Sequence, residues 1–217
     1  MLVTEIKQQR RDENKYNVFV DGEFAFSLLM QDILYFKIKE NEEIPEEKYN
    51  YIINEVVYIK AQDKALNFLS SKMRTEKEMR TKLKSLDYSE EVIERVMEFL
   101  FKYSYIDDYK YAQSYIRQCE RLKPMGRYGI KMKLREFGIK DSVIENAILD
   151  SEMDEEESAY ELLMKKIGTK DKDEIDDKEK KKYHDFLLRR GYSYDIIKTV
   201  FKKAEIWFAF LNFQKEA

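Results

Sequence analysis

The spacing of apolar positions changes period once along the chain. Over residues 1–40, LVTEIKQQ and YNVFVDGEFAF alternate apolar and polar residues in twos, as a strand with one buried face does. Val18, Phe19 and Val20 are strand formers, and Asp21-Gly22 is a tight-turn signal, so a small β element is predicted. Ser27-Leu-Leu-Met-Gln-Asp-Ile-Leu reads as a short helix capped by Ser27. The polar KENEEIPEE follows as a loop. Pro45 suits a first helical turn, and a helix is expected from about Glu46 towards Ser70.

Beyond that point the period is helical, and it repeats. Ala65, Ala112 and Ala159 are equally spaced (112 − 65 = 47 and 159 − 112 = 47), and each opens the same motif. ALNFL, AQSYI and AYELL put apolar side chains at +3 and +4: Phe68 and Leu69, Tyr115 and Ile116, Leu162 and Leu163. Met79 and Leu83 precede Tyr88 as Ile130 and Leu134 precede Ile139, and as Tyr183 and Leu187 precede Tyr192. Val92, Ile93 and Val96 follow the first of these anchors. Val143, Ile144 and Ala147 follow the second, and Ile196, Ile197 and Val200 the third. All are one-face positions of helices.

The pattern predicts a mainly α protein: tandem three-helix repeats in an elongated, curved array, with a small β-containing N-terminal extension. Stacking neighbours would enlarge cores that are small one by one. The expected divisions are 1–45 for the extension, 46–106 for the first repeat with its lead-in helix, 107–152 for the second, and 153–217 for the third with a C-terminal tail. The third repeat is longest between its first two helices, at IGTKDKDEIDDKEKKK.

Signals at the joints agree. Thr75-Glu-Lys-Glu78 is a capping box. Ser89 and Ser193 stand where third helices begin. Gly138 and Gly191 sit just before the second and third anchors, where a helix end wants a left-handed residue, and Asp87 takes that place in the first repeat. Asp107-Asp108 looks at first like a paired-carboxylate site. Asp154-Glu155 repeats it in register five residues before the next alanine, which makes the pair a helix start, favoured by backbone N–H groups and the helix dipole.

Composition narrows the chemistry. Of 217 residues, 43% are apolar and 38% charged, with a net charge of only −3, which fits a solvated helical surface around a real core. One cysteine, Cys119, allows no internal disulfide, and with one histidine it cannot build a Cys/His zinc site. His184 lies in the basic run KEKKKYHDF and is expected to be solvated. Six glycines, with no GxxxxGK[ST] or GxGxxG, leave no phosphate loop. No apolar run approaches membrane-spanning length. A soluble, reduced, cytoplasmic, monomeric chain without catalytic, cofactor or metal site is expected.

Charge supplies the candidate site. Arg117, Arg121, Lys123, Arg127, Lys131, Lys133 and Arg135 cluster in the second repeat, opposed between Arg117 and Arg135 only by Glu120. Arg127, Lys131 and Arg135 step by four and form a stripe beside the buried Ile130 and Leu134. Arg74, Lys77, Arg80, Lys82 and Lys84 surround the second helix of the first repeat. One reading is an ordinary solvated face. The other is a surface for a polyanion or an acidic protein groove. Tyr128 and Tyr115 are weak signs of base stacking. The apolar AEIWFAFLNF, with Trp207, Phe208, Phe210 and Phe213, is expected to dock on the third repeat or to bind a partner.

Taken together, ALNFLSSKMRTEKEMRTKL (65–83), YIDDYKYAQSYI (105–116), KPMGRYGIKMKLREFGI (123–139) and VIENAIL (143–149) resemble the RecX family, regulatory proteins of the RecA recombinase. YNVFVDGEFAFSL (16–28) is similar to the β-containing extension of some members. Thr75 stands for the commoner Ser, Met79 for Leu, and Asp87-Tyr88 for Gly-Tyr or Gly-Phe. The resemblance implies a non-enzymatic modulator that binds the RecA–DNA filament along its groove. Such proteins typically inhibit filament growth, ATP hydrolysis and strand exchange. The implied partners are the RecA filament and the DNA phosphate backbone. The rival reading is a stand-alone helical-repeat protein that binds nucleic acid.

Overall fold

The structure, a computed structural model, describes residues 1–10 and 12–206. Two units of tertiary contact divide it, Met1–Asp107 and Asp108–Ala217. Trp207, Phe208, Phe210 and Phe213 lie outside the described residues.

The first unit opens with strands β1 (Val3–Gln8), β2 (Lys15–Val20) and β3 (Glu23–Leu29) in one antiparallel sheet of that order. Asp21 (φ 51°) and Gly22 (φ 86°) make the tight turn between β2 and β3. Val18 pairs with Phe26 and Tyr16 with Leu28, so one pleat face carries Val18, Phe26 and Leu28 into the core.

Ser27 does not cap a helix. It stays in β3, where its hydroxyl bonds Asn17 Oδ1 at 2.7 Å and Gln9 Nε2 at 3.0 Å. Burying Phe26 and Leu28 on one face requires the period-two backbone to run on to Leu29, and cross-strand pairing outweighs the local capping preference. Helix α1 (Met30–Tyr35) starts only after that.

The lead-in helix runs unbroken from Glu46 to Leu69, as α2 (Glu46–Tyr51), a π-helical stretch Ile52–Val57 and α3 (Tyr58–Leu69). Pro45 directly precedes it. The widened turn buries Ile52, Ile53 and Val57, and Ala61 and Ala65 continue the row against the first repeat. That repeat is completed by α4 (Glu76–Lys84) and α5 (Glu90–Lys102). Its core holds Met79, Leu83, Val92, Ile93, Val96 and Leu100, all fully buried.

In the second unit, α6 (Asp108–Arg121), α7 (Arg127–Glu136) and α8 (Asp141–Leu149) form the second three-helix repeat. The third consists of α9 (Glu155–Ile167), a 3-10 turn Lys172–Glu174, α10 (Asp177–Arg189) and α11 (Tyr194–Lys203). The template alanines Ala65, Ala112 and Ala159 are all completely buried, as are Leu83, Leu134 and Leu187. The chain is mainly helical, with three-helix repeats and one small N-terminal sheet.

The caps follow the sequence closely. Thr75 and Glu78 form both halves of the capping box. Asp154 accepts from Glu157 N, and Ser193 accepts from Ile196 N. Ser89 occupies the N-cap of α5 without a side-chain bond. Gly138 (φ 87°) and Gly191 (φ 79°) are left-handed, and Asp87 (φ 59°) takes the same conformation in the first repeat.

His184 is not solvated. It is 7% exposed, because it stands beside Tyr183 on the face of α10 that also carries Leu187. The surrounding lysines are a feature of sequence adjacency, since neighbours along a helix point a hundred degrees apart. Its Nδ1 lies 3.3 Å from Asp185 Oδ1, and its ring meets Tyr194 edge-on at 6.0 Å.

Candidate interaction surfaces

The basic residues fall into two groups once their neighbours are known. In the first repeat, Arg74 lies 3.9 Å over the Phe68 ring and 3.4 Å from Glu78. Arg80 is gripped between Glu76 at 2.7 Å and Glu94, and these bonds raise its pKa while holding Glu94 below the usual carboxylate range. Lys84 pairs with Glu90 at 3.0 Å, and Lys82 lies 5.7 Å from the Phe68 ring.

In the second repeat, every cation of α7 has a carboxylate. Lys131 meets Glu145 at 2.6 Å and Arg135 meets Asp141 at 2.6 Å, both from α8 or its first turn. Lys133 meets Glu136 at 2.7 Å. Arg127 meets Glu155 at 3.6 Å. The stripe predicted along α7 therefore exists as a row of positions but is neutralised in place.

Arg127 does more than carry charge. Its backbone N–H donates to Glu155 Oε1 at 2.9 Å and its guanidinium donates to Met153 O at 3.4 Å. Glu155, in the first turn of α9, is mostly buried at 14% exposure. One carboxylate thus ties the start of α7 in the second repeat to the start of α9 in the third.

A second tie lies beside it. Gly126 N donates to Arg190 O at 3.0 Å, and Arg190 Nη1 donates to Pro124 O at 3.3 Å. The backbones approach so closely that a Cβ on Gly126 would stand 2.3 Å from Gly191 O, and one on Gly129 2.7 Å from Arg190 O. Glycine is required at this joint because only a missing side chain leaves room for it. The KPMGRYGI stretch carries no local signal for what its glycines touch. Glu155 was visible only as a repeat position, and Arg190 not at all.

Arg117, Arg121 and Lys123 form the other group. None of them has an ion pair among the described residues. Arg117 lines a groove of about 280 Å³ with Glu120, Asp150 and Glu152, which offset its charge at longer range. Arg121 and Lys123 are exposed, as is Leu122 between them at 72%. Among the described residues no group of three or more His, Cys, Asp or Glu is arranged to hold a metal ion. No helix among them is long and apolar enough to cross a membrane.

Comparison with known proteins places this geometry. Family models match the chain in four successive stretches: the regulatory protein RecX N-terminal domain over residues 1–45, and the first, second and third RecX three-helix domains over 61–100, 107–148 and 154–201. The regulatory protein RecX of Clostridium acetobutylicum is 36% identical over 205 residues, 93% of this chain and 95% of that protein. That of Clostridioides difficile strain 630 is 35% identical over 202 residues, with the same coverage. A crystal structure of regulatory protein RecX superimposes with a TM-score of 0.61 at 26% identity, over 94% of this chain and 98% of the other. The structure of RecX from Lactobacillus salivarius also gives 0.61, at 32% identity, over 69% of this chain and 97% of that one. The chain belongs to the RecX family of regulatory proteins.

Proposed function

We propose that this protein is a non-enzymatic regulator of a RecA-type recombinase, acting in the cytoplasm. It binds the recombinase–DNA filament along its groove and limits filament growth, and with it ATP hydrolysis and strand exchange. The observation that carries the reading is the succession of four RecX domains along the chain, which is 36% identical to a protein named as regulatory.

The architecture supports it physically. Each repeat buries its own apolar template and leaves a polar outer face, so the chain offers several modest contact surfaces in series. A helical polymer presents the same protomer surface again and again. Contacts that are weak singly then add through effective concentration. A binder of this kind slows a filament by occupying it.

The test is recombinase-catalysed, single-strand-dependent ATP hydrolysis with increasing amounts of this protein. Inhibition well below one molecule per recombinase protomer is expected. Unchanged hydrolysis at a molar excess would overturn the proposal.

A further inference from the structure

We infer that the outer edge of β3 is a docking site for an extended polypeptide segment of a partner protein, which adds to the N-terminal sheet as a fourth strand and carries an apolar residue between charges of both signs. The inference goes beyond the proposed function. It concerns the first unit alone and does not depend on the recombinase reading.

The order β1-β2-β3 leaves β1 and β3 each with one side free of the sheet. The outer side of β1 is occupied. Val3 N donates to Glu42 O at 3.0 Å, Asn41 N donates to Val3 O at 2.8 Å, and Ile6 N donates to Glu40 Oε1 at 2.6 Å. The outer side of β3 has no such cover. Met30 N donates to Asn14 O at 3.2 Å, which sets the phase of the ladder. Pairing is regular from Lys15 with Leu29 to Val18 with Phe26, so Phe26 and Leu28 exchange bonds with β2 while Ser27 and Leu29 turn their main-chain groups outward. No hydrogen-bond partner for Ser27 N–H, Ser27 C=O or Leu29 N–H lies among the described residues. Edges that must stay unpaired usually carry lysine or proline. The β3 sequence EFAFSLL has neither, and its one charge, Glu23, is at its start.

A cleft of about 510 Å³ opens on this stretch, a size usual for a ligand site. Ser27, Leu28 and Leu29 all line it. Successive side chains on a strand point to opposite faces, so what three in a row bring to one cleft is the main chain of the edge. The helical wall is Val57, which ends the π-helical stretch, with Lys60, Lys64 and Asn67 of α3 at the spacing of one helix face. Leu86 and Tyr88, after α4, complete it. An edge strand beside a lined cleft is the geometry of strand addition, in which main-chain bonds hold the ligand and the walls choose its side chains.

The charge of the walls selects the occupant. Lys60 is taken by Asp32 at 2.6 Å. Of the other lining charges, Lys15 and Lys64 are matched by Asp12 and Asp63, so the cleft favours no single sign and does not suit a polyanion. A second copy of this chain would bring the FSLL of its own β3, which has no charge to meet these four. A polypeptide with an apolar side chain for Leu29, Val57 and Leu86, flanked by charges of both signs, meets all of them.

The test selects random nonapeptides displayed on phage against the full-length protein, with Leu29→Pro as the counter-target. Leu29 has φ −71°, which proline adopts, and its N–H is not in the ladder, so the change removes one outward donor and spares the sheet. Peptides enriched on the wild type are synthesised and titrated by fluorescence anisotropy. Binding is expected to fall about tenfold or more in Leu29→Pro, as for the loss of one enclosed hydrogen bond, and less than about threefold in Leu29→Ala, which keeps the N–H. With peptide in large excess, hydrogen exchange across residues 26–29 should slow about tenfold or more. That measurement needs no variant, and it decides the matter if Leu29→Pro folds poorly by circular dichroism.

Failure to enrich any peptide on the wild type would overturn the inference, as would enriched peptides that leave exchange across residues 26–29 unchanged. Purely acidic peptides whose binding vanishes with salt would also overturn it, by reducing the cleft to its lysines. So would a wild-type dimer that Leu29→Pro makes monomeric in light scattering, which would assign the edge to a second copy.

Discussion

Helix α7 carries four cations and the end of α6 with the residue pair after it carries two, and the two places are opposite in character. On α7 each cation finds a carboxylate from α8, from α9 or from its own last turn. At the end of α6, Arg121 and Lys123 find none among the described residues. The difference comes from what packs alongside. The acidic first turns of α8 and α9, placed there by the helix dipole, face α7. The loop after α6 meets the turn after α10, where Arg190 donates to Pro124 O. Charge available to a partner is therefore a property of the packed repeats, and a count of lysines and arginines along one helix misjudges it.

The joint itself is where this comparison breaks most easily. Gly126→Ala keeps an ordinary backbone angle (φ −69°) but places a Cβ 2.3 Å from Gly191 O. The backbones must separate, and a loss of more than about 2 kcal/mol is expected from overpacking against main chain. Melting followed by circular dichroism should show a fall of several degrees. Gly22→Ala is the control. It has φ +86° and no atom within 4 Å of a new Cβ, so it carries only the conformational cost, about 1 kcal/mol. Equal effects would show that contact at the joint does not matter.

How much of this could be read beforehand follows from the range of each signal. Apolar periodicity is local, and the buried template of all three repeats was legible down to Ala65, Leu134 and Val200. Capping is local too, which is why Thr75, Asp154 and Ser193 behave as expected. Ser27 misled because two local signals competed, and strand pairing with Asn17 decided it. His184 misled because its sequence neighbours are charged while its helical face is apolar. The pairing of Lys131 with Glu145 and the meeting of Arg190 with Pro124 depend on how helices stack, which periodicity does not encode.

The next effect concerns Glu155, which bonds Arg127 N at 2.9 Å and faces its guanidinium at 3.6 Å. Glu155→Ala should cost about 1–2 kcal/mol, because Arg127 N at the start of α7 loses the charged acceptor that the mostly buried Glu155 supplies. Glu155→Gln should recover part of it by keeping the acceptor oxygen. If both variants melt with the wild type, the tie between repeats lies in the glycines alone. Asp87→Gly should work in the other direction. Asp87 is left-handed where the other two repeats have glycine, so glycine there should stabilise the first unit by about 0.5 kcal/mol after its own entropy cost. A lower melting temperature would mean that the Asp87 side chain holds the turn.

The smallest effect on stability should come from unmasking α7. Asp141 and Glu145 are the partners of Arg135 and Lys131, and both ion pairs lie at the surface. Asp141→Asn/Glu145→Gln should leave the melting temperature almost unchanged, as is usual for exposed pairs. The same change frees two cations, so oligonucleotide affinity should rise a few-fold at low salt and the salt slope should steepen. Acid cannot easily do the same. The Arg135 guanidinium holds the Asp141 carboxyl below its ordinary value, so the small stability from that pair is present at neutral pH and is lost only as pH falls through the lowered value. If the double variant binds no more tightly than wild type, the cations of α7 are poorly placed for a strand as well as neutralised, and geometry alone separates the two surfaces.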